Sequence, residues 1–288
     1  MQKLRQEGQD LVNESGQVFD LDKFSRFKHG STGVAAEYGS DMARSLAEAH
    51  PELLTPQVEL VVSASFSKFM PLASDSLGDA FYRSLNYSLV QRDLPPADRV
   101  KIHRSELIEG DYSKMSQAER DAINEKDKLS LPEGVVRGKH LLVVDDVRMT
   151  GGCERKIDEY VQSLDLLSVW YLYAAQIDGA QAQSGPQLEA RMNTAYVNNL
   201  ERLAEVVTAK DFLLNSRAAK FIIGYDDKSE LRQFLGAMDD QFVYNLYTGV
   251  TGNGYNRMEK YGESVDAIEG ELGKRRMIRG GQLYPARG

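Results

Sequence analysis

The chain has 288 residues, enough for one large domain or two small ones, and 42% of them are hydrophobic, which can supply a sizeable core. Its formal net charge of -8 argues against a surface that generally coats nucleic acids. Cys153 is the only cysteine, so an intramolecular disulfide is impossible, and no apolar run is long enough to span a bilayer. We therefore expect a cytoplasmic protein that neither crosses a membrane nor binds nucleic acids generally.

Residues 1–56 are predicted to form an N-terminal helical extension. Apolar side chains at four-residue spacing indicate a helix over residues 34–49, which Pro51 ends. These apolar residues are Val34, Tyr38, Met42 and Leu46. A basic cluster at residues 25–30 ends in a glycine. We interpret it as a solvated turn rather than a phosphate contact.

The first predicted core strand covers residues 59–65 and leads through a loop into a helix over residues 74–89. Small residues at the end of the strand, Ser65 among them, would let a ligand approach the backbone closely. Lys68 in the loop is a candidate cation for a phosphate group. A loop lysine exposed to solvent is an equally good interpretation of the sequence.

A second strand is predicted at residues 99–104, where apolar and polar residues alternate. The strand ends at Arg104 and leads into a charged connection, residues 105–131. A connection of this length inside a compact domain is usually a functional lid or a disordered segment. Ser116 and Glu119 have the spacing of a capping box, which predicts a short helix within it.

The most informative segment is residues 139–153. Its sequence predicts a strand, followed by an acidic pair and a glycine turn. Four apolar residues indicate a strand that is buried on both faces, and Asp145 and Asp146 follow at its carboxyl end. Apolar residues at helical spacing then predict a helix. Amides at a glycine turn and a helix start can hold a phosphate, and adjacent carboxylates can bind ribose hydroxyls directly or through Mg²⁺.

The remaining chain supplies one more buried strand, at residues 168–175, and a mainly helical C-terminal third. Alternating strands and helices predict an α/β fold with an open, largely parallel sheet. We therefore divide the chain into the N-terminal extension, a core of residues 57–180 and a helical subdomain of residues 181–288.

Residues 139–153 resemble the phosphoribosyl-pyrophosphate (PRPP) signature of type I phosphoribosyltransferases, which has four apolar residues, two acids, a short variable turn and a Thr/Gly-rich loop. The resemblance implies that Asp145 and Asp146 face the ribose hydroxyls and bind Mg²⁺, directly or through water. It also implies that a loop of four residues holds the 5′-phosphate. The loop residues are Thr150, Gly151, Gly152 and Cys153.

The same resemblance implies roles for residues outside the signature. Ser65 and Lys68 would bind the pyrophosphate, and Lys68 and Arg104 would act in catalysis, Arg104 from the base of a mobile loop. The helical subdomain would form a hood over the acceptor. Two residues of the turn depart from the family pattern, because Arg148 replaces an apolar residue and Met149 replaces a hydroxyl residue. Cys153 is a third departure, also at a position where hydroxyl residues are common.

Other interpretations of the signature are weaker. Receiver domains also have a strand that ends in two acids, but they lack the Thr-Gly-Gly turn. Nucleotide hydrolases need a glycine-rich loop ending in Gly-Lys-Ser/Thr, which this chain lacks. An ordinary buried strand with a capped helix also stays open. The arrangement further resembles a subgroup of bacterial phosphoribosyltransferase-like proteins associated with stress or tellurite-resistance gene clusters.

Two functional hypotheses follow from the resemblance. The first is an enzyme that transfers 5-phosphoribosyl from PRPP to a small nitrogenous acceptor, with Mg²⁺ as cofactor and a homodimer as a possible assembly. Enzymes of this family that use 6-oxopurines typically have an Asp just before the Thr-Gly pair, where this chain has Met149, so we expect a different acceptor. The second hypothesis is a non-catalytic regulator that binds PRPP or a nucleotide.

Overall fold

A computed structural model of the protein describes residues 2–7, 10–67, 69–104, 128–184, 187–279 and 282–284. Its strands are β1 Gln2–Glu7, β2 Asp10–Asn13, β3 Leu60–Ser67, β4 Asp98–Arg104, β5 Leu129–Ser130, β6 His140–Arg148, β7 Ser168–Ile177, β8 Ile278–Arg279 and β9 Gln282–Leu283. No helix in these ranges is long and apolar enough to cross a bilayer.

Seven of these strands form one open sheet in the order β2-β1-β7-β6-β3-β4-β5. The five central strands are parallel to one another, in the order β1, β7, β6, β3 and β4. Only the edge strands β2 and β5 run antiparallel to their neighbours. The predicted α/β fold with a largely parallel sheet is therefore confirmed. β8 and β9 form a separate antiparallel pair.

The edge formed by β1 and β2 was not predicted, because residues 1–56 were expected to be helical. β1 pairs in parallel with β7, and β2 folds back on β1. Leu4 and Leu11 are buried by this arrangement. The sequence did not predict these two strands because each is short and mostly polar, so that tertiary pairing decides its conformation. The three-part domain division stays a prediction.

The helices lie mainly where the sequence predicts them. They are α1 Leu21–Lys28, α2 Thr32–Ala49, α3 Ala73–Val90, α4 Glu133–Val136, α5 Gly152–Val161, α6 Gly179–Ser184, α7 Leu188–Thr194, α8 Leu200–Val207, α9 Ser216–Ile223, α10 Lys228–Ala237, α11 Asp240–Gly252 and α12 Gly262–Lys274. Side-chain oxygens accept hydrogen bonds from first-turn amides at several helix starts, which stabilises a helix by about 1 kcal/mol per cap. The capping residues are Asp20, Ser31, Asn199, Asn215, Asp227 and Asp239.

The sheet is covered on both faces, as predicted for β6. Leu142 and Val144 pack into the apolar cluster formed with α1, α2 and α3. Leu141 and Val143 point to the other face and pack against α5. Successive side chains of a strand alternate between its faces, so a run of four apolar residues fills both layers.

The C-terminal helices have an apolar cluster of their own, which includes Leu231, Leu246 and Ile268. Several polar contacts join this helical region to the start of α2. The Ser31 hydroxyl donates to the Asp211 carboxylate at 2.7 Å, and the Leu213 amide donates to the Gly30 carbonyl at 2.9 Å. The turn between α1 and α2 is therefore fixed to the helical region.

Candidate functional site

The candidate site lies where β3 and β6 separate at the carboxyl edge of the sheet. Their pairing ends with Ala64 opposite Val144, whereas β6 pairs with β7 as far as Arg148 opposite Gln176. From β3 the chain continues to β4 on one side, and from β6 it continues to β7 on the other. Such a switch in strand order leaves a crevice, and open α/β sheets bind their ligands there.

Asp145 and Asp146 lie at this crevice. They belong to β6 itself rather than following it, because the strand continues to Arg148. Asp146 continues the face of Val144, which is covered by α1, α2 and α3. Asp145 accepts a hydrogen bond from the Asp146 amide at 2.9 Å. Alternation along the strand thus directs the two carboxylates to different faces.

The carboxylate of Asp146 forms a buried ion pair with Lys28, the last residue of α1. The Lys28 Nζ lies 2.5 Å from Oδ2 of Asp146, and the side chains are 7% and 12% exposed. The interpretation of residues 25–30 as a solvated turn is therefore wrong. Lys28 follows Phe24 by four residues and lies on the same helix face, which was the available signal that it points inward.

The hydroxyl of Tyr173 lies near the carboxylates of Asp145 and Glu154. Tyr173 lies opposite Asp145 in the neighbouring strand β7 and is buried. Burial first, and then the charge of Asp145, raises the pKa of the Tyr173 hydroxyl far above its ordinary value of 10.0. The phenol therefore stays protonated across the physiological range and remains a hydrogen-bond donor.

The predicted phosphate loop forms the start of α5. Gly151 caps this helix in the left-handed conformation, at φ 72°, and no side chain caps the first-turn amides. Glycine is favoured here because other residues are strained at positive φ. The amides of Gly152 and Cys153 thus belong to a helix start of the kind that binds anions. The Thr150 carbonyl accepts a hydrogen bond from the Arg155 guanidinium at 2.8 Å.

An ion pair lies directly beside this loop. Arg148 Nε donates to Oε1 of Glu154 at 2.8 Å, and this hydrogen bond raises the pKa of the Arg148 guanidinium. A Cβ atom at Gly151 would lie 3.1 Å from both side chains. Arg148, which departs from the family pattern, therefore holds a carboxylate next to the amides that are predicted to bind phosphate.

The other two departures pack into the protein. Met149 lies against the apolar cluster beneath β6, together with Val147. Cys153 packs against the cluster on the opposite face, which contains Ile157 and Val161. Both positions therefore contribute their backbone to the loop, while their side chains contact the two cores.

The loop after β3 is held by the helical region. The Met70 amide donates to Oδ1 of Asn253 at 2.8 Å, and the Met70 carbonyl accepts from the Ser216 hydroxyl at 3.3 Å. The Ser216 amide donates to the Pro71 carbonyl at 2.8 Å. Asn253 also donates to the hydroxyls of Ser216 and Tyr255, at 3.2 and 3.0 Å. These polar side chains are buried, so each bond satisfies a group that water does not reach.

Two glycines of α11 allow this close contact. A Cβ atom at Gly252 would overlap the ring of Phe69, and one at Gly249 would overlap the end of Met70. The loop after β3 therefore rests directly on the backbone of α11.

A cavity of about 380 Å³ opens between the loop after β3 and the helical region. Its aromatic walls come from Phe69, Phe212 and Phe242, and its polar groups come from Asp239, Gln241, Asn245 and Thr248. Ligand sites commonly combine apolar walls with a few polar groups in a volume of roughly 300–1,000 Å³. The cavity shares Met70 and Pro71 with the loop that borders the crevice.

The side chains of three predicted site residues lie outside the described part of the chain. Lys68 lies outside the described residues. Ser65 and Arg104 have described backbones in β3 and β4, but their side chains lie outside the described part of the chain. Most of the predicted lid, residues 105–127, also lies outside it, and Leu129–Ser130 forms β5 instead.

One member of the acidic pair, Asp145, fits one kind of metal site. Among the described residues, no three His, Cys, Asp or Glu side chains are grouped so as to hold a metal ion. Mg²⁺, however, commonly binds through one or two carboxylates together with substrate phosphates and water. Asp145 can supply one such carboxylate, whereas Asp146 faces the other side of the strand and its Oδ2 is bonded to Lys28. Asp145 therefore suits a Mg²⁺ ion that is also bound by a phosphorylated ligand.

Comparison with known proteins gives one extensive match. A family model described as PRTase ComF-like matches residues 9–268. No curated protein sequence matches the chain.

The similarity to solved structures is distant. A hypoxanthine phosphoribosyltransferase from Staphylococcus aureus has 15% identity and a TM-score of 0.31, over 48% of this chain and 62% of that chain, less than two thirds of its length. An adenine phosphoribosyltransferase from Saccharomyces cerevisiae has 17% identity and a TM-score of 0.32, over 53% of this chain and 73% of that chain.

Proposed function

The chain belongs to the PRTase ComF-like family, and we propose that it transfers the 5-phosphoribosyl group of PRPP to a nitrogen atom of an acceptor and releases pyrophosphate. One observation carries this proposal. The acidic pair of β6 and the uncapped helix start at Gly151 lie next to each other at the crevice between β3 and β6. A phosphorylated ribose presents both hydroxyls and a phosphate, the two kinds of group that the carboxylates and the helix start can bind.

In this proposal the β6 side of the crevice binds the sugar phosphate. Asp145 and Asp146 accept hydrogen bonds from the ribose hydroxyls, because an ionised carboxylate offers only acceptors. The amides of residues 150–153 donate to the 5′-phosphate, where the helix start also favours negative charge. The sugar is then fixed at both ends while the bond at its anomeric carbon breaks, which lowers the entropic part of the barrier.

The β3 side of the crevice binds the pyrophosphate. Ser65 and Lys68 are proposed to contact it, with Lys68 and Arg104 stabilising the negative charge that builds up as it leaves. When bound, Mg²⁺ supplies further positive charge to this leaving group, and Asp145 is the side chain that would hold it. The helical region keeps the backbone of the loop in place through Asn253 and Ser216.

The acceptor is proposed to bind in the cavity beside the loop after β3. Its aromatic walls suit a flat ring, which can stack on a phenyl face, and its amide and carboxylate groups can accept and donate hydrogen bonds. The cavity shares the Met70 backbone with the proposed pyrophosphate loop, so an acceptor there would lie beside the leaving group.

The turn before the phosphate loop bears on the choice of acceptor. Met149 cannot exchange a proton with a base nitrogen, and its side chain packs against the apolar core. The nearby carboxylate of Glu154 is bonded to Arg148. We therefore propose that hypoxanthine and guanine are poor acceptors and that another nitrogenous ring is used.

The test measures pyrophosphate release from PRPP and Mg²⁺ with a panel of purine and pyrimidine bases, and identifies the nucleotide by chromatography. We expect release with at least one base other than hypoxanthine or guanine, and a loss of about 100-fold or more in the double variant Asp145→Asn/Asp146→Asn, in which two charge-assisted contacts are removed. Asp98→Asn, at the amino end of β4, is the matched control and should keep full activity. Equal release by the double variant and the control would contradict the proposal.

A second function is favoured by the Arg148–Glu154 ion pair. A carboxylate beside the phosphate loop opposes the approach of an anion, which suits a protein that binds PRPP or a nucleotide reversibly as a regulator. In that case PRPP would raise the melting temperature, as any ligand of the folded state does, but no acceptor would give pyrophosphate release. A cytoplasmic location and a homodimer remain predictions under either function.

A further inference from the structure

The ion pair between Lys28 and Asp146 lies at the base of the crevice and has no role in the function proposed so far. Lys28 is 6% exposed, and its stem lies beside Phe24, with Nζ 5.8 Å from the ring centroid. Its carbonyl accepts a hydrogen bond from the buried amide of Asn215 at 3.1 Å. The end of α1 is thus fixed from the helical region, while its last side chain reaches the sheet.

Stability alone gives little reason for this pair. Removing an ammonium and a carboxylate from water costs several kcal/mol per ion, and well-packed apolar residues in place of a buried ion pair are often neutral or stabilising. A buried pair instead fixes the orientation of both groups. The Nζ–Oδ2 distance of 2.5 Å means that one oxygen of Asp146 is bonded to the ammonium, which leaves Oδ1 as the oxygen that can face a ligand.

We propose that Lys28 is a positioning residue of the sugar site: its ammonium fixes Oδ2 of Asp146, so that Oδ1 is presented to a ribose hydroxyl. The inference rests on the proposed function, since it concerns the ligand bound by the acidic pair. It assigns a part in building the site to α1, whose last residue lies 118 positions before Asp146 in the chain. Sugar phosphates and PRPP, which share the ribose, should depend on Lys28, whereas pyrophosphate alone should not.

The test uses the full chain and isothermal calorimetry with three probes: ribose 5-phosphate, PRPP with Mg²⁺, and inorganic pyrophosphate with Mg²⁺. Lys28→Met keeps the length of the side chain and removes its charge. We expect it to raise the dissociation constants of ribose 5-phosphate and PRPP by about tenfold or more, the effect of losing a well-aligned hydrogen bond to a charged group. The dissociation constant of pyrophosphate should stay within about twofold, because pyrophosphate has no ribose hydroxyl.

The matched control is Lys139→Met, at the start of β6. Lys139 also forms ion pairs, with Asp98 at 2.6 Å and Glu59 at 3.3 Å, but at the opposite end of the strand from the acidic pair. Its loss should leave the binding of all three probes unchanged. Lys28→Arg keeps the charge in a larger side chain, so it should fold even if Lys28→Met does not. It should weaken the binding of ribose 5-phosphate and PRPP only, by a smaller factor than Lys28→Met.

The outcomes separate the inference from the proposed function. If the wild-type protein binds neither ribose 5-phosphate nor PRPP, the proposed function itself fails. If the wild-type protein binds both and neither Lys28 variant changes their affinity, only the role of Lys28 is overturned. A parallel loss of pyrophosphate binding in the variants would also overturn it, because it would show a general disturbance of the crevice rather than a misplaced Asp146.

Discussion

The two loops that border the crevice obtain their shape from different parts of the chain. At the phosphate loop, the Arg148–Glu154 and Arg155–Thr150 contacts join residues six and five positions apart. At the loop after β3, the bonds to Met70 come from Asn253 and Ser216, which are 183 and 146 residues away. The first loop is a local structure, and the second exists only when the helical region is folded against the sheet.

This difference predicts how each loop responds to mutation. A change within residues 148–155 should alter the binding of the sugar phosphate and leave the pyrophosphate contact intact. A change in the helical region should alter the pyrophosphate contact and leave the binding of the sugar phosphate intact. Distant, independent sites usually contribute additively to free energy, so the two kinds of change can be measured separately.

The largest expected effect comes from Asn253→Ala, which removes the partner of the Met70 amide and of two hydroxyls. A buried donor left without a partner costs about 1–3 kcal/mol, so we expect a lower free energy of unfolding by that amount. We also expect a KM for PRPP raised several-fold, with the affinity for ribose 5-phosphate unchanged.

Ser264→Ala is the control for this prediction. Ser264 is fully buried in the same helical region and donates to the Ile223 carbonyl at 2.6 Å. The Ser264→Ala variant should lower the free energy of unfolding by a similar amount to Asn253→Ala without changing KM. Urea unfolding and steady-state kinetics provide the two measurements, and an unchanged KM in Asn253→Ala would show that the helical region does not position the loop.

An intermediate effect is expected from Gly151→Ala in the phosphate loop. A non-glycine residue in the left-handed conformation costs about 1–2 kcal/mol, and the added Cβ would also press on Arg148 and Glu154. Calorimetry should show weaker binding of ribose 5-phosphate and unchanged binding of pyrophosphate. Gly138→Ala has nearly the same φ, 70°, with open space around the glycine, so it should cost similar stability but leave both ligands unaffected.

The smallest effect is expected from Glu154→Gln, which removes the negative charge beside the phosphate loop. A charge near a helix start is worth about 0.3–1 kcal/mol, so ribose 5-phosphate should bind up to about fivefold more tightly, and the gain should shrink at high salt. Glu159→Gln, an exposed change on the same helix, is the control. Weaker binding by Glu154→Gln would mean that the Arg148–Glu154 pair shapes the loop instead of opposing the phosphate.

The same contrast explains what the sequence could predict. Residues 139–153 contain the strand, the acids and the glycine turn in one continuous segment, and the resemblance to phosphoribosyltransferases that they suggested is confirmed by the family. The parallel sheet was predictable for the same reason, since β3, β6 and β7 each contain an apolar run of their own. The narrower resemblance to a stress- and tellurite-associated subgroup stays a prediction.

The parts that were missed depend on contacts between distant segments. Lys28 was taken for a solvated residue because its partner, Asp146, is 118 positions away. Asn253 and Ser216 gave no signal, since a buried asparagine and serine in helical sequence have no local pattern. β1 was missed because a short polar strand is defined by its pairing with β7.

Hydrogen exchange of the full chain, measured by mass spectrometry with and without saturating PRPP and Mg²⁺, tests the central claim most directly. The claim is that the crevice at the end of β6 binds the sugar phosphate. The account predicts that the largest slowing of exchange falls in peptides covering residues 148–155, whose amides would be bonded to the phosphate. Slowing confined to the helical region, with unchanged exchange in residues 148–155, would contradict it.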